Sequence, residues 1–173
     1  MGNAMPKKLR GWDSDERYLE TEFDTMDTDG DGLLSTGEFT KLLLALGFGG
    51  DEEKTEMLLK EMNKEREEKI SQDEYVRAIK SNEEIWVKTS KLRVIFGNFD
   101  DTNEGKVPKT KIKRRLRMMG FDVDDDMSKS IDEIDTDKDG YVSYAEFLTK
   151  HLKSKGFVSQ ADNTAGALAT EES

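Results

Sequence analysis

Apolar residues along this chain recur three and four positions apart, the spacing that gathers them on one face of an α-helix. They do so in short blocks separated by polar loops. Leu19, Phe23 and Met26 form the first block, behind Ser14 as the predicted N-cap. Phe39, Leu42, Leu43 and Leu46 form the second, with Gly47 as its predicted stop. Leu58, Leu59 and Met62 are followed by Tyr75, Ala78 and Ile79; Leu92, Ile95, Phe96 and Phe99 are followed by Ile112, Leu116 and Met119, before Gly120. Met127, Ile131 and Ile134 precede the last block, Phe147, Leu148 and Leu152. Each block is too short to hold a helix alone, so the stripes must be stabilised by packing on one another. The expectation is an all-α protein whose apolar positions are core.

The polar loops carry the chemistry. Loop 27–38 places Asp27, Asp29 and Asp31 at positions 1, 3 and 5, Gly32 at 6, Ser35 at 9 and Glu38 at 12. Loop 135–146 repeats this with Asp135, Asp137, Asp139, Gly140, Ser143 and Glu146. The alternation lets one short loop direct several hard oxygens at a point, as Ca²⁺ requires with its six to eight ligands. The expected shell adds the carbonyl of Leu33 or Tyr141, Ser35 or Ser143 through a water, and a bidentate Glu38 or Glu146. Gly32 and Gly140 stand where the chain must turn sharply. Two Ca²⁺ sites are expected, with Mg²⁺ as a competitor. The bland alternative, two acidic surface turns, does not explain the agreement position by position.

Two weaker copies start at Asn63 and Asp100, giving starts at 27, 63, 100 and 135. Every copy has an apolar eighth residue (Leu34, Ile70, Val107, Val142), suited to pairing loops through short antiparallel bridges. The second copy offers Asn63, Glu65, Glu67 and Glu74 but has Glu68 at the turn position; the third keeps Asp100 and Gly105 but has Pro108 at position 9 and Lys111 at 12. In the second, Glu68 and the long side chains of Glu65 and Glu67 crowd a cavity sized for Asp; in the third, an ammonium in place of the bidentate carboxylate opposes a cation, so both copies read as structural braces.

On these motifs and this spacing, residues from about Ser14 to Leu152 resemble the calmodulin/troponin C family of EF-hand proteins. The resemblance implies four helix–loop–helix units, arranged as two EF-hand lobes joined by a helical linker, and a calcium sensor that grips an amphipathic helical segment of a target. It places the target groove at Leu43, Leu58, Ala78 and Ile79 in the first lobe, and at Leu116, Ser130, Lys150 and His151 in the second. Calmodulin lines this groove with adaptable methionines; their replacement argues for a dedicated partner. A calcium buffer, or a constitutive light-chain-like structural subunit, is the alternative. The expected organisation is a flexible segment 1–13, an EF-hand pair 14–80, a linker 81–90, a second pair 91–156 and a disordered tail 157–173. Over 72–96 no Pro or Gly interrupts, so one rod on the order of 37 Å is expected, bending near Ser81 and Asn82.

Composition narrows the reading. With a net charge of −11, nucleic acid is a poor partner. No apolar run approaches the ~20 residues of a membrane span, and 1–12 lacks the apolar core of a secretory signal, so a cytoplasmic monomer is expected. Cysteine is absent. No nucleophile–base pairing, phosphate loop or His-containing metal cluster points to an enzyme. The basic run 106–117 reads first as a solvated helix balanced by Asp122, Asp124, Asp125 and Asp126, and second as a contact for an acidic partner or an anionic membrane surface. Trp86 is expected to pack on the following helix, with contact to a partner as the alternative, and His151 to lie on a helix surface or groove. Gly2 opens an acylation-like pattern that Pro6 spoils.

Overall fold

The eighth loop residues pair as expected: Leu34 faces Ile70, and Val107 faces Val142, across two antiparallel two-stranded sheets. The structure is a computed structural model in which residues 12–49, 52–62, 64 and 68–157 are described, with side chains from residue 15 onward. The first unit is α1 (Trp12–Met26), β1 (Leu33–Ser35) and α2 (Thr36–Leu46); the second is α3 (Glu52–Glu61), β2 (Lys69–Ser71) and α4 (Gln72–Ser81). Two short helices follow, α5 (Glu83–Thr89) and α6 (Lys91–Gly97). After them come β3 (Lys106–Pro108) with α7 (Lys109–Met118), then α8 (Asp125–Ile134), β4 (Tyr141–Ser143) and α9 (Tyr144–Ser154). All four bridge residues are buried, and at ~1.5–3 kcal/mol per fully buried aliphatic side chain they fix each register, since a one-residue slip would expose them.

Three helices that leave loops begin with the same device. Ser35, Ser71 and Ser143 cap α2, α4 and α9, and Glu38, Glu74 and Glu146 return the bond to the cap backbone, closing capping boxes. At α7 the cap position is Pro108, with no side-chain cap bond. Gly47 ends α2 at φ 113° in the left-handed region, as expected of it.

Several expectations change. The first helix already runs from Trp12, so Ser14 lies inside it and is not the N-cap. The rod over 72–96 breaks at Asn82, whose backbone is extended and whose Oδ1 accepts the Ile85 N–H at 3.1 Å, capping α5 rather than continuing α4. A second break falls at Ser90, between α5 and α6. The two EF-hand pairs also pack on each other. Helix α1 lies against both α4 and α9, and Tyr18, Phe96 and Tyr144 form an aromatic cluster with centroids 4.7–5.9 Å apart. The segments 1–11 and 158–173, Gly2 among them, and Asn63, Glu65 and Glu67 lie outside the described residues.

Candidate metal centre

In loop 27–38 each aspartate is held by backbone N–H groups of the turn that follows it. Asp27 accepts from Gly30 at 3.1 Å and Gly32 at 2.8 Å, Asp29 from Asp31 at 3.1 Å, and Asp31 from Leu33 at 2.9 Å. Gly32 takes a positive φ of 77°, which licenses this wrapping. The result brings one oxygen from each of Asp27, Asp29 and Asp31 within 4.8 Å of one another. Loop 135–146 repeats the arrangement for Asp135, Asp137 and Asp139. There Asp135 accepts from Asp139 and Gly140, both at 3.1 Å, and Asp139 accepts from Tyr141 at 2.8 Å.

Glu38 and Glu146 are not in those triads. Glu38 Oε2 accepts from the Ser35 N–H at 2.8 Å and its hydroxyl at 3.0 Å. Glu146 Oε2 does the same with Ser143, and its Oε1 reaches the Thr136 N–H at 2.8 Å, across the loop. Leu33 and Tyr141 open β1 and β4 directly after the triads, while Ser35 and Ser143 close those strands as caps.

Three carboxylates so close repel one another, and the crowding shows at Asp29 and Asp137. Asp29 accepts the Asp31 N–H, which favours its charge, yet Asp27, Asp31 and desolvation together raise it above the usual value. Asp137 behaves alike: its bond from Asp139 N–H lowers it, but desolvation and the charges of Asp139 and Glu146 prevail. The paired loops relieve some of this with lysines that sequence reasoning missed. Lys69, from the second loop, bonds Asp31, and Lys109, from the third, reaches Asp135 at 2.8 Å; each holds its carboxyl below the ordinary range. Hard oxygens alone, crowded and negative, fit Ca²⁺.

The third loop shares the fold and lacks the donor set. Asp100 accepts from Glu104 at 3.1 Å and Gly105 at 2.8 Å, but its other partners are the Tyr18 hydroxyl at 2.8 Å and the Thr102 hydroxyl at 3.4 Å, and Arg17 bonds the Asn103 carbonyl. Lys111 at position 12 pairs with Asp101 at 3.0 Å. The basic run is paired in part, and not with the acids expected: Lys109 and Lys113 meet Asp132, and Lys111 and Arg115 meet Asp101, while Asp124 caps α8 instead. The Arg93 guanidinium on α6 lies over the Trp86 ring at 4.8 Å, which is packing of the kind expected for Trp86. His151 Nε2 lies 3.0 Å from the Ala45 carbonyl.

Helix–loop–helix units paired through their loops define EF-hands, and the described residues form two such pairs. The EF-hand domain pair family matches residues 16–80, and the EF hand family matches 129–149. A calcium-binding protein of Arabidopsis thaliana, CML19, is 29% identical over 76% of this chain and 80% of its own length. The calcium-binding allergen Ole e 8 of Olea europaea is 26% identical over 81% and 84%. A 16 kDa calcium-binding protein of Schistosoma mansoni is 26% identical over 78% and 94%. The chain belongs to the calmodulin-like EF-hand family, a family of calcium-binding proteins. Among the described residues no helix is long and apolar enough to cross a membrane.

Proposed function

We propose that this chain is a calcium-dependent regulatory protein with two working loops, 27–38 and 135–146, that binds one dedicated helical target. The observation that carries the reading is the pair of aspartate triads, each within 4.8 Å, in those two loops. Asp27, Asp29, Asp31 and Glu38 would hold one ion and Asp135, Asp137, Asp139 and Glu146 the other, with Leu33, Ser35, Tyr141 and Ser143 completing the shells. When bound, calcium supplies a hard dication that offsets the crowded carboxylate charge. Glu38 and Glu146 link loop to helix, because each also caps the helix that leaves its loop. Any change in their bonding is therefore felt by α2 and α9.

The energy available per pair is limited. Moving a population from 1:99 to 99:1 needs ~5.5 kcal/mol of preference between states. A micromolar site provides ~8 kcal/mol in all, of which only the state-dependent part counts. One site per pair therefore favours partial opening that a target completes. The buffer alternative draws on one observation: Leu43, Leu58, Ala78 and Ile79 are all buried, so the first groove is closed.

Calcium calorimetry decides the sites. Two sites are expected, and Glu38→Gln with Glu146→Gln should abolish both; a third site of comparable affinity would overturn the assignment. Hydrophobic-dye fluorescence separates the two functions: it should rise with calcium for the regulator and stay flat for a buffer.

A further inference from the structure

Glu22 sits on the apolar stripe of α1, one turn from Leu19 and Met26 and beside Phe23, and is fully buried. Three helices supply its partners. Arg93 Nη1 on α6 donates to Oε1 at 2.7 Å and Oε2 at 2.9 Å; the Tyr75 hydroxyl on α4 donates to Oε2 and the Tyr144 hydroxyl on α9 to Oε1, both at 2.8 Å. Burial, reinforced by the Glu22 charge, raises the Tyr75 phenol well above its ordinary value, so it remains a donor.

Arg93 extends the network to α5. Its Nη2 donates to Thr89 Oγ1 at 3.0 Å and to the Trp86 carbonyl at 3.4 Å. Helix α5 is in turn seated on the first EF-hand pair. Helix α5 packs on α2 and α4, which carry Leu43, Ala78 and Ile79, and its buried Ile85 lines one cavity with Leu58. Glu84 accepts from Lys54 of α3 at 2.6 Å, and Lys88 lies 5.5 Å from the Phe48 ring centre. The Lys88 carbonyl would stand 2.8 Å from a Cβ at Gly47, so the absence of a side chain there lets α5 approach. Leu43, Leu58, Ala78 and Ile79 are the residues at which the resemblance puts the first target groove. Helix α5 therefore occupies the place of a target.

We propose that the Glu22–Arg93 pair is a latch: with Tyr75 and Tyr144 it keeps α5 in the first groove as an internal occupant and holds α9 against α1. A charge pair removed from water recovers its desolvation only when fully bonded. Glu22 is fully bonded, whereas Arg93 Nε is buried with no partner among the described residues. Such a pair selects one arrangement without adding much net stability, which suits a contact meant to open. Its ends also adjoin the candidate loops: Glu22 is five residues before Asp27, and Tyr144 lies inside loop 135–146, two residues before Glu146. The meaning of the groove rests on the target-binding reading; the latch itself does not.

The test uses calcium-free full-length protein. Glu22→Gln keeps the side-chain shape and removes the charge. Amide exchange at Ile85 and Thr89 should quicken by about tenfold or more, and dye fluorescence and radius of gyration should rise, while the β1 and β2 amides stay protected. Tyr144→Phe removes a single donor and should shift the same readouts less. If Glu22→Gln loses sheet protection as well, Tyr144→Phe decides. Unchanged α5 exchange in the folded variant overturns the latch. A designed Leu–Lys amphipathic helix provides the second arm and should bind the opened variants without calcium. Opening without peptide binding leaves the latch standing and removes the target reading.

Discussion

Loops 100–111 and 135–146 begin alike and end in different chemistry. Asp100 and Asp135 are both almost fully buried and both accept the N–H groups of loop positions 5 and 6. Both loops place a left-handed residue at position 4, Asn103 and Lys138, and a glycine with positive φ at position 6. Their β strands pair with each other, residue for residue. Yet the free side of Asp100 is filled by a phenol from α1, while Asp135 joins two further aspartates. The turn geometry is thus set by backbone bonds to the first aspartate. What separates the two loops is the charge at positions 3 and 12, Asp137 and Glu146 in one against Thr102 and Lys111 in the other.

Replacing the first aspartate in each loop separates those two roles. Asp135→Asn should weaken calcium binding at that loop by on the order of tenfold or more, since affinity follows ligand charge; calorimetry reads it. Asp100→Asn should leave two sites of unchanged affinity. It should instead lower the stability of calcium-free protein by ~1–3 kcal/mol in urea unfolding, because a buried network loses charge-assisted bonds. If Asp100→Asn altered calcium stoichiometry, the third loop would be a site after all.

A smaller effect is expected at Lys109, which bridges the two loops by pairing with Asp135. Lys109→Gln frees that carboxylate and should tighten calcium at loop 135–146 by a few-fold, the scale of a solvent-screened pair. Weaker binding would instead make Lys109 a support for the loop rather than a competitor.

The difference between these loops was legible in the sequence because ligand chemistry fixes residue type at fixed spacing. Lys111 in the place of Glu sufficed to separate them. The paired strands were equally legible, since Val107 and Val142 occupy the same register in a repeat. What fills the third loop was not. Tyr18 lies 82 residues from Asp100, and nothing local ties them. Glu22 did leave a trace, as an acid on the stripe of Leu19, Phe23 and Met26, a position that buries its side chain and so demands a partner. Its partners, up to 122 residues away, follow only from packing. The rod over 72–96 failed for a local reason, because Asn82 caps the helix it was expected to join.

The finest difference between the loops is electrostatic. Asp101 is held below 3.8 by bonds from Lys111 and then Arg115, whereas Asp137 is raised above 3.8 by its crowded site. The linkage has opposite signs. For Asp101, with a folded value below the unfolded one, the stabilisation is complete above about 3.8 and disappears as pH falls through the lower folded value. For Asp137 the folded protein is penalised at neutral pH, and the penalty lifts as pH falls through the raised value. Acidifying calcium-free protein should therefore relax loop 135–146 first and loosen loop 100–111 afterwards. Carboxyl ¹³C titration should find Asp137 protonating at higher pH than Asp101, and Lys111→Met should move Asp101 upward while leaving Asp137 in place. Asp101 titrating at or above Asp137 would mean that the ammonium groups around the third loop do not compensate its acids, and that its lack of a metal site has some cause other than charge.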